Sequence, residues 1–281
     1  MTQPQPFQIE NSDGTRVHGI LQTPKESGPR PTVIICHGFK GFMEWGFFPA
    51  LADLLTERGF TTIRFNYSGS GQLPGEDRVS DLDAFRRNTF SQELTETLSV
   101  LDAAGRTVGE GRVDRDKLGL IGHSRGGGSS ILASGQPEWQ SRLGALVTWN
   151  AVATFRRFND ELMALWRQNG VLQIQNGRTG QTLELGSEML AEIESGSDAI
   201  EPLAAAEKRQ APWLIVHGDA DETVSVDDAH QLFDRAAGLK ELKIVRGGSH
   251  TFGARHPFAG PTPHLIEALN ATQTWFKRHL G

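Results

Sequence analysis

The chain contains a single cysteine, Cys36, among 281 residues. No disulfide can close within it, and no cysteine cluster can hold a metal. Positive charge is not in excess: 28 Lys and Arg stand against 34 Asp and Glu, a formal net charge of −6. A nucleic-acid partner is therefore not favoured. No apolar run approaches the roughly 20 residues that cross a bilayer, so no membrane partner is expected. The opening stretch Met1 to Pro6 lacks a basic segment followed by an apolar one, so no secretory leader is expected. These absences predict a soluble, cytoplasmic protein. Gly69 and Gly71 hint at a dinucleotide loop, but the next glycine is Gly75 and Pro74 interrupts any helix start. With 37% hydrophobic and 22% charged residues the composition is that of a globular chain, and its length allows a large core.

What is present alternates. Residues 7–10 and 15–21 read as strands around Asn11-Ser12-Asp13-Gly14. Continuous apolar runs follow at 32–36, 61–65, 118–121, 145–149, 213–217 and 242–245, as strands buried on both faces require. Helical periodicity falls between them. Pro49 opens one helix carrying Leu51, Leu54 and Leu55, and Gly59 closes it. A longer helix carries Phe90, Leu94, Leu98 and Leu101, and a closing helix carries Leu265, Ile266, Leu269 and Phe276. Strands alternating with helices predict an α/β fold with a mostly parallel sheet covered on both faces. In such sheets function gathers at the carboxyl ends of the strands. Loops 37–41, 122–127, 218–224 and 247–252 all sit there.

One segment breaks the alternation. Residues 151–211 hold no buried strand. Phe155, Phe158, Leu162 and Leu165 recur at helical spacing, and Leu172/Ile174 and Leu183/Leu185 flank a hairpin turn at Asn176-Gly177-Arg178-Thr179-Gly180. A connection this long is usually functional. It reads as a cap inserted into a core formed by residues 1–150 and 212–281.

The stretch Gly122-His123-Ser124-Arg125-Gly126-Gly127 follows the strand at 118–121 and precedes a run of small residues that can open a helix. A serine raised on so tight a turn needs strained backbone, and the flanking glycines relieve the crowding. The helix N-terminus then places free N–H groups beside an oxygen that becomes an anion. Such a serine needs a base. Of nine histidines, His250 in Gly247-Gly248-Ser249-His250 directly follows the last strand, with His256 as fallback. His37 and His217 read as loop geometry, and His123 should point away from the serine along the turn. The base needs a carboxylate to fix its tautomer. Loop 218–224 offers Asp219, Asp221 and Glu222. Asp221 is the choice and Asp219, readable as a turn residue, the alternative. Ser225 to Asp228 reads as a capping box that engages Asp228 locally.

With these residues quoted, the chain resembles the α/β-hydrolase superfamily, and within it the bacterial carboxylesterases that include cinnamoyl (feruloyl) esterases. The carrying residues are His37-Gly38-Phe39, Gly122 to Gly127, Gly218, Asp221 and Val224, and Gly248-Ser249-His250, and the order Ser124, Asp221, His250 is that of the superfamily. The resemblance implies an oxyanion hole made by the N–H groups of Phe39 and Arg125, and a hairpin-containing cap at 151–211. Arg125 stands where relatives often have Gln, and Ser225 where they often have Pro. The expected reaction is ester hydrolysis through an acyl-enzyme on Ser124, with no metal or organic cofactor. The expected partner is a small ester. The aromatic residues Phe39, Phe42, Trp45, Phe47 and Phe48 beside the oxyanion loop, with Phe155, Phe158 and Trp166 from the cap, favour a short or aromatic acyl group, with a hydroxycinnamate-type ester as the leading expectation; Trp45, Phe155 and Trp166 are the expected substrate contacts. Two rivals stand beside this. A peptidase that reads a free amino terminus should show an acidic cluster, and the cap holds Glu184, Glu188, Glu192 and Glu194. A non-enzymatic binding protein on the same fold would usually lack one of the three catalytic side chains.

Overall fold

The apolar runs form one eight-stranded sheet in the computed structural model, which describes residues 3–281. Met1 and Thr2, the first residues of the stretch read for a leader, lie outside the described residues. The strands are β1 (Gln5–Glu10), β2 (Arg16–Gln22), β3 (Arg30–Cys36), β4 (Thr61–Asn66), β5 (Val113–His123), β6 (Leu143–Trp149), β9 (Trp213–Gly218) and β10 (Lys240–Val245), in spatial order β1-β2-β4-β3-β5-β6-β9-β10. β7 (Leu172–Gln175) and β8 (Thr182–Leu185) pair separately as an antiparallel hairpin. β1 and β2 are antiparallel to their neighbours, and the six strands from β4 to β10 run parallel.

The helices are α1 (Phe48–Glu57), α2 (Leu82–Arg87), α3 (Phe90–Ala103), α4 (Arg125–Ser134), α5 (Asp160–Asn169), α6 (Ser187–Ser195), α7 (Pro202–Lys208), α8 (Val226–Arg235) and α9 (Pro263–Leu280). They split the core in two. Val33, Ile35, Leu51, Val147 and Phe276 belong to the layer beneath α1 and α9. Ile34, Phe65, Leu120, Leu132 and Ile215 belong to the opposite layer, which runs on into Met163, Trp166, Leu183 and Met189 of the cap. Val33 to Cys36 of β3 thus feed opposite layers in turn, the reason that run is continuously apolar.

The parallel edge strand β10 is heavily charged. Lys240 donates to the carbonyls of Phe233 and Ala236 at the end of α8, Lys243 pairs with Glu267 and Glu241 with Arg278.

Two local expectations fail in the 151–211 segment and after it. Phe155, Phe158, Leu162 and Leu165 do not share one helix. Asn159 caps α5 by accepting from the N–H of Leu162, so both phenylalanines precede the helix. The buried residues of α5 are Met163 and Trp166, whereas Leu162 and Leu165 are exposed. The capping box also does not form. Ser225 Oγ accepts from the N–H of Asp227, and the Asp228 carboxylate turns outward to accept from the Ala153 N–H at 2.9 Å and from Arg157. A nearby cation and a free amide at the root of the cap outcompete the local bond.

The 151–211 segment is tied to the rest of the chain at several points. Gln181 exchanges hydrogen bonds with the backbone of Val79, Lys40 donates to the carbonyl of Gln175 at 3.1 Å, and Glu192 accepts from the N–H groups of Phe90 and Ser91 at the start of α3. An anion at a helix N-terminus is favoured by the free amides and the dipole there. α7 lies against α4 and α8, among the core helices.

Candidate active site

Ser124 is the residue between β5 and α4. Its backbone, at φ 56° and ψ −122°, lies in a region that costs a non-glycine residue of order 1–3 kcal/mol. Sterics hold it there. A Cβ on Gly122 would overlap the carbonyl of Gly126, and one on Gly126 would overlap the carbonyl of His37, so both glycines are obligatory for the turn. The Ser124 N–H donates to the Trp149 carbonyl at 2.8 Å, fastening the turn to the end of β6.

His250 and Asp221 meet from the two strands beyond. His250 Nδ1 lies 2.8 Å from Asp221 Oδ2. Asp221 Oδ1 accepts from the N–H groups of Thr223 at 2.8 Å and Val224 at 2.9 Å. Burial alone would push the Asp221 carboxyl up, but the hydrogen bond and charge of His250 and the two amides outweigh it, holding the carboxyl below its usual range. An ionised carboxylate here requires the proton on His250 Nδ1, which leaves Nε2 as the basic nitrogen.

The alternatives are engaged elsewhere. Asp219 Oδ1 accepts from the Gly247 N–H at 2.6 Å and closes the gap between two loops. His256 Nδ1 accepts from the Gly46 N–H at 3.1 Å, its ring stacked on Trp45. His37 donates from Nδ1 to the Gly38 carbonyl and accepts at Nε2 from the Tyr67 N–H. Burial lowers its pKa to about 4, so it stays neutral. His123 turns its ring towards His250, 4.7 Å between ring centroids, and its Nε2 lies 2.8 Å from the His250 carbonyl. Burial lowers its pKa to about 3, which fixes it as a neutral donor.

Phe39 follows β3 in a loop whose Gly38 packs against Ser124, where a Cβ would lie 3.0 Å from the serine Cβ, and Arg125 opens α4. Among the described residues neither N–H is hydrogen-bonded to the protein. Their side chains touch. The Arg125 guanidinium lies 4.9 Å from the Phe39 ring centroid and 4.5 Å from that of Phe90. Phe39 stacks on Phe85, and Phe90 on Phe155 at 4.2 Å. Glu93 of α3 closes the arrangement: Arg125 Nε donates to Oε2 at 3.1 Å and Nη2 lies 2.9 Å from Oε1. Asn88 and Ser129 also donate to Glu93. Both partners are nearly buried, at 9% and 6% side-chain exposure.

The three aromatic contacts expected for substrate sit differently. Phe155 belongs to this stack. Trp45 leans on His256 and Phe47 in the opposite layer. Trp166 is fully enclosed in the cap, edge-on to Phe158, and serves as that segment's core. A large aromatic at a buried helix position was filling the cap's own interior.

Sequence reasoning passed over Glu93 and Asn150. Glu93 lay on a helix face and looked like an ordinary surface acid. Asn150 is fully buried directly after β6, at φ 47°. Asn tolerates that left-handed region better than most residues, and its place at a strand end was the one available signal.

A mostly parallel sheet with helices on both faces and a strained serine at a strand-to-helix turn defines an α/β-hydrolase. The chain belongs to the prolyl oligopeptidase family, peptidase family S9, whose model matches residues 45–281. It is thus a hydrolase of a serine hydrolase family. It is 26% identical, over 99% of its length, to the uncharacterized peptidase YuxL of Bacillus subtilis, and spans only 39% of that protein. It is 25% identical to an uncharacterized 31.7 kDa protein of the traX-finO intergenic region in Escherichia coli, over 92% of this chain and 95% of that one. In structure it is similar to Est1E of Butyrivibrio proteoclasticus bound to ferulic acid, with a TM-score of 0.75 at 23% identity, covering 96% of this chain and 98% of that one.

Proposed function

We propose that the protein hydrolyses carboxylic esters through an acyl-enzyme on Ser124, with a flat aromatic acyl group, of hydroxycinnamate type, as the leading substrate class. The observation that carries the reaction is the 2.8 Å contact between His250 Nδ1 and an ionised Asp221, set at the same sheet end as the strained Ser124. His250 Nε2 takes the proton from Ser124 Oγ as the oxygen attacks the ester carbonyl. The N–H groups of Phe39 and Arg125 receive the oxyanion. The imidazolium, stabilised by Asp221, returns the proton to the departing alcohol, and water repeats the sequence on the acyl-enzyme. The aromatic acyl preference is supported by the side chains of the oxyanion residues themselves, since Phe39 and Arg125 belong to a column of flat surfaces with Phe85, Phe90 and Phe155.

Membership of a family named for peptidases favours a second reading, amide hydrolysis. Three of the four acids, Glu184, Glu192 and Glu194, are engaged by other partners, which argues against recognition of a free amino terminus. Glu192 serves the start of α3, Glu194 pairs with Arg167 and Glu184 with Arg86. A panel of methyl ferulate, methyl coumarate, p-nitrophenyl acetate through laurate and aminoacyl p-nitroanilides decides. Highest kcat/KM on the hydroxycinnamates is expected. Turnover of butyrate without ferulate would reduce the protein to a short-chain esterase, and preference for anilides would establish the peptidase. Ser124→Ala should abolish whichever activity is found, by roughly 10⁴-fold or more.

A further inference from the structure

The main-chain carbonyl of His250 is where the three loops of the site are locked together. It accepts from His123 Nε2 at 2.8 Å and from Asn150 Nδ2 at 2.7 Å. His123 is the residue before Ser124. Asn150 directly follows Trp149, whose carbonyl receives the Ser124 N–H. The other end of the Asn150 amide, Oδ1, accepts from the N–H of Gly218, the residue that opens the Asp221 loop, at 2.8 Å. Nδ2 also approaches the Ser249 carbonyl at 3.3 Å. One amide group therefore joins the acid loop to the base loop, and the backbone beside it holds the nucleophile. The two ends determine each other, since the end facing an N–H must be the oxygen and the end facing a carbonyl must be the nitrogen. Asn150 is wholly buried, and its backbone sits at φ 47° with its own N–H donating to the Val216 carbonyl.

We infer that Asn150 is a positioning residue for the proposed reaction: its carboxamide sets the place of His250 relative to Ser124 and Asp221. The inference rests on the reading of those three residues as nucleophile, base and orienting acid. Its physical basis is the sensitivity of proton transfer to geometry. A displacement of about 1 Å at the reacting groups costs about 10²-fold in rate. The base loop leaves the sheet at β10, the edge strand; Asp219 and Ala220 hold its start at Gly247 and Gly248, and the placement of His250 itself depends on bonds made to its carbonyl. Asn150 Nδ2 and His123 Nε2 are two such bonds, both reaching from the nucleophile side.

Two variants of Asn150 separate positioning from scaffold. Asn150→Gly keeps the left-handed backbone without strain and removes the whole amide. Asn150→Asp keeps the size and the acceptor for Gly218 but has no donor for the His250 carbonyl. Both should lower kcat about 10- to 100-fold with KM nearly unchanged, and both should slow fluorophosphonate labelling of Ser124 in parallel. His123→Gln, which retains a side-chain N–H, should keep more of kcat than His123→Phe, which retains only the ring shape. The readout is kcat and KM on the best ester of the panel, with circular dichroism confirming the fold. If Asn150→Gly fails to fold, Asn150→Asp carries the test. Wild-type kcat in either folded Asn150 variant overturns the inference while leaving the serine mechanism standing. A wild-type protein whose Ser124 does not label overturns the mechanism, and the inference with it.

Discussion

Breaking the Arg125–Glu93 pair should be among the costliest single changes outside the apolar core. The pair is a close ion pair with one hydrogen bond, Nε to Oε2, between side chains exposed by only 9% and 6%, and the guanidinium lies against the rings of Phe39 and Phe90. Water cannot replace a lost partner. Arg125→Met strands the Glu93 carboxylate, which keeps only Asn88 Nδ2 and Ser129 Oγ as donors. Glu93→Leu strands a guanidinium between two rings. Removing one member of a buried pair costs about 3–5 kcal/mol, a large part of a total stability on the order of 5–15 kcal/mol. The combined variant Arg125→Met/Glu93→Leu leaves no charge behind. It leaves the buried Asn88 Nδ2 without its acceptor, a loss of roughly 1–3 kcal/mol, while Ser129 Oγ keeps the Arg125 carbonyl. The double change is thus expected to be milder than either single one. Urea unfolding at pH 7.5 measures all three, with the slope checked for constancy before midpoints are compared. Single variants that each lose under about 1 kcal/mol, or a double loss equal to the sum, would refute the argument that burial makes this pair unforgiving.

Asp221→Asn should lower ester turnover on the order of 10⁴-fold by presenting the wrong tautomer of His250, whereas Asp219→Asn, whose amide oxygen can still accept from the Gly247 N–H, should cost far less; steady-state kinetics on the two variants tests this, and reversed losses would reassign the acid. Stability should fall as the pH drops below about 6.5. The unfolded chain protonates its histidines near 6.5, while folded His37 and His123 resist until about 4 and about 3, so across that window the unfolded state binds more protons. Glu96, pushed up to about 7 by burial, acts in the opposite sense, favouring the fold at low pH and losing that contribution as the pH rises from about 4.5 through 7. Two histidines outweigh one glutamate, so melting temperature measured between pH 7.5 and 4.5 should decline, and a flat or rising profile would contradict the assignment of both rings as neutral.

The parts of this molecule that could be read from sequence are those whose causes are local. β3, β5 and β9 announce themselves because the stretches buried on both faces, 33–36, 118–121 and 213–216, must be apolar, and the Ser124 turn because only glycine fits at Gly122 and Gly126. The cap hairpin showed through its alternating leucines and its turn residues. What stayed hidden depends on partners far along the chain. Asn150 takes its role from Gly218 and His250, Glu93 from Arg125, and Asp228 from Arg157, and no local pattern names any of these partners. The register of α5 was lost for a related reason. Its exposed leucines mimic a buried stripe, and only the neighbouring cap elements reveal that Met163 and Trp166 face inward.

The charged edge strand has a consequence for how this protein behaves in a crowd. A parallel sheet must end somewhere, and its last strand offers unpaired amides and carbonyls to any extended chain that drifts past. On β10 an incoming strand would meet Lys240, Glu241 and Lys243 in succession, each already held by α8 or α9. Docking there would mean crowding or breaking those contacts and stripping water from charges with no compensating partner on the newcomer. The arrangement that joins the outermost strand to its helices therefore also discourages copies of the molecule from continuing one another's sheets.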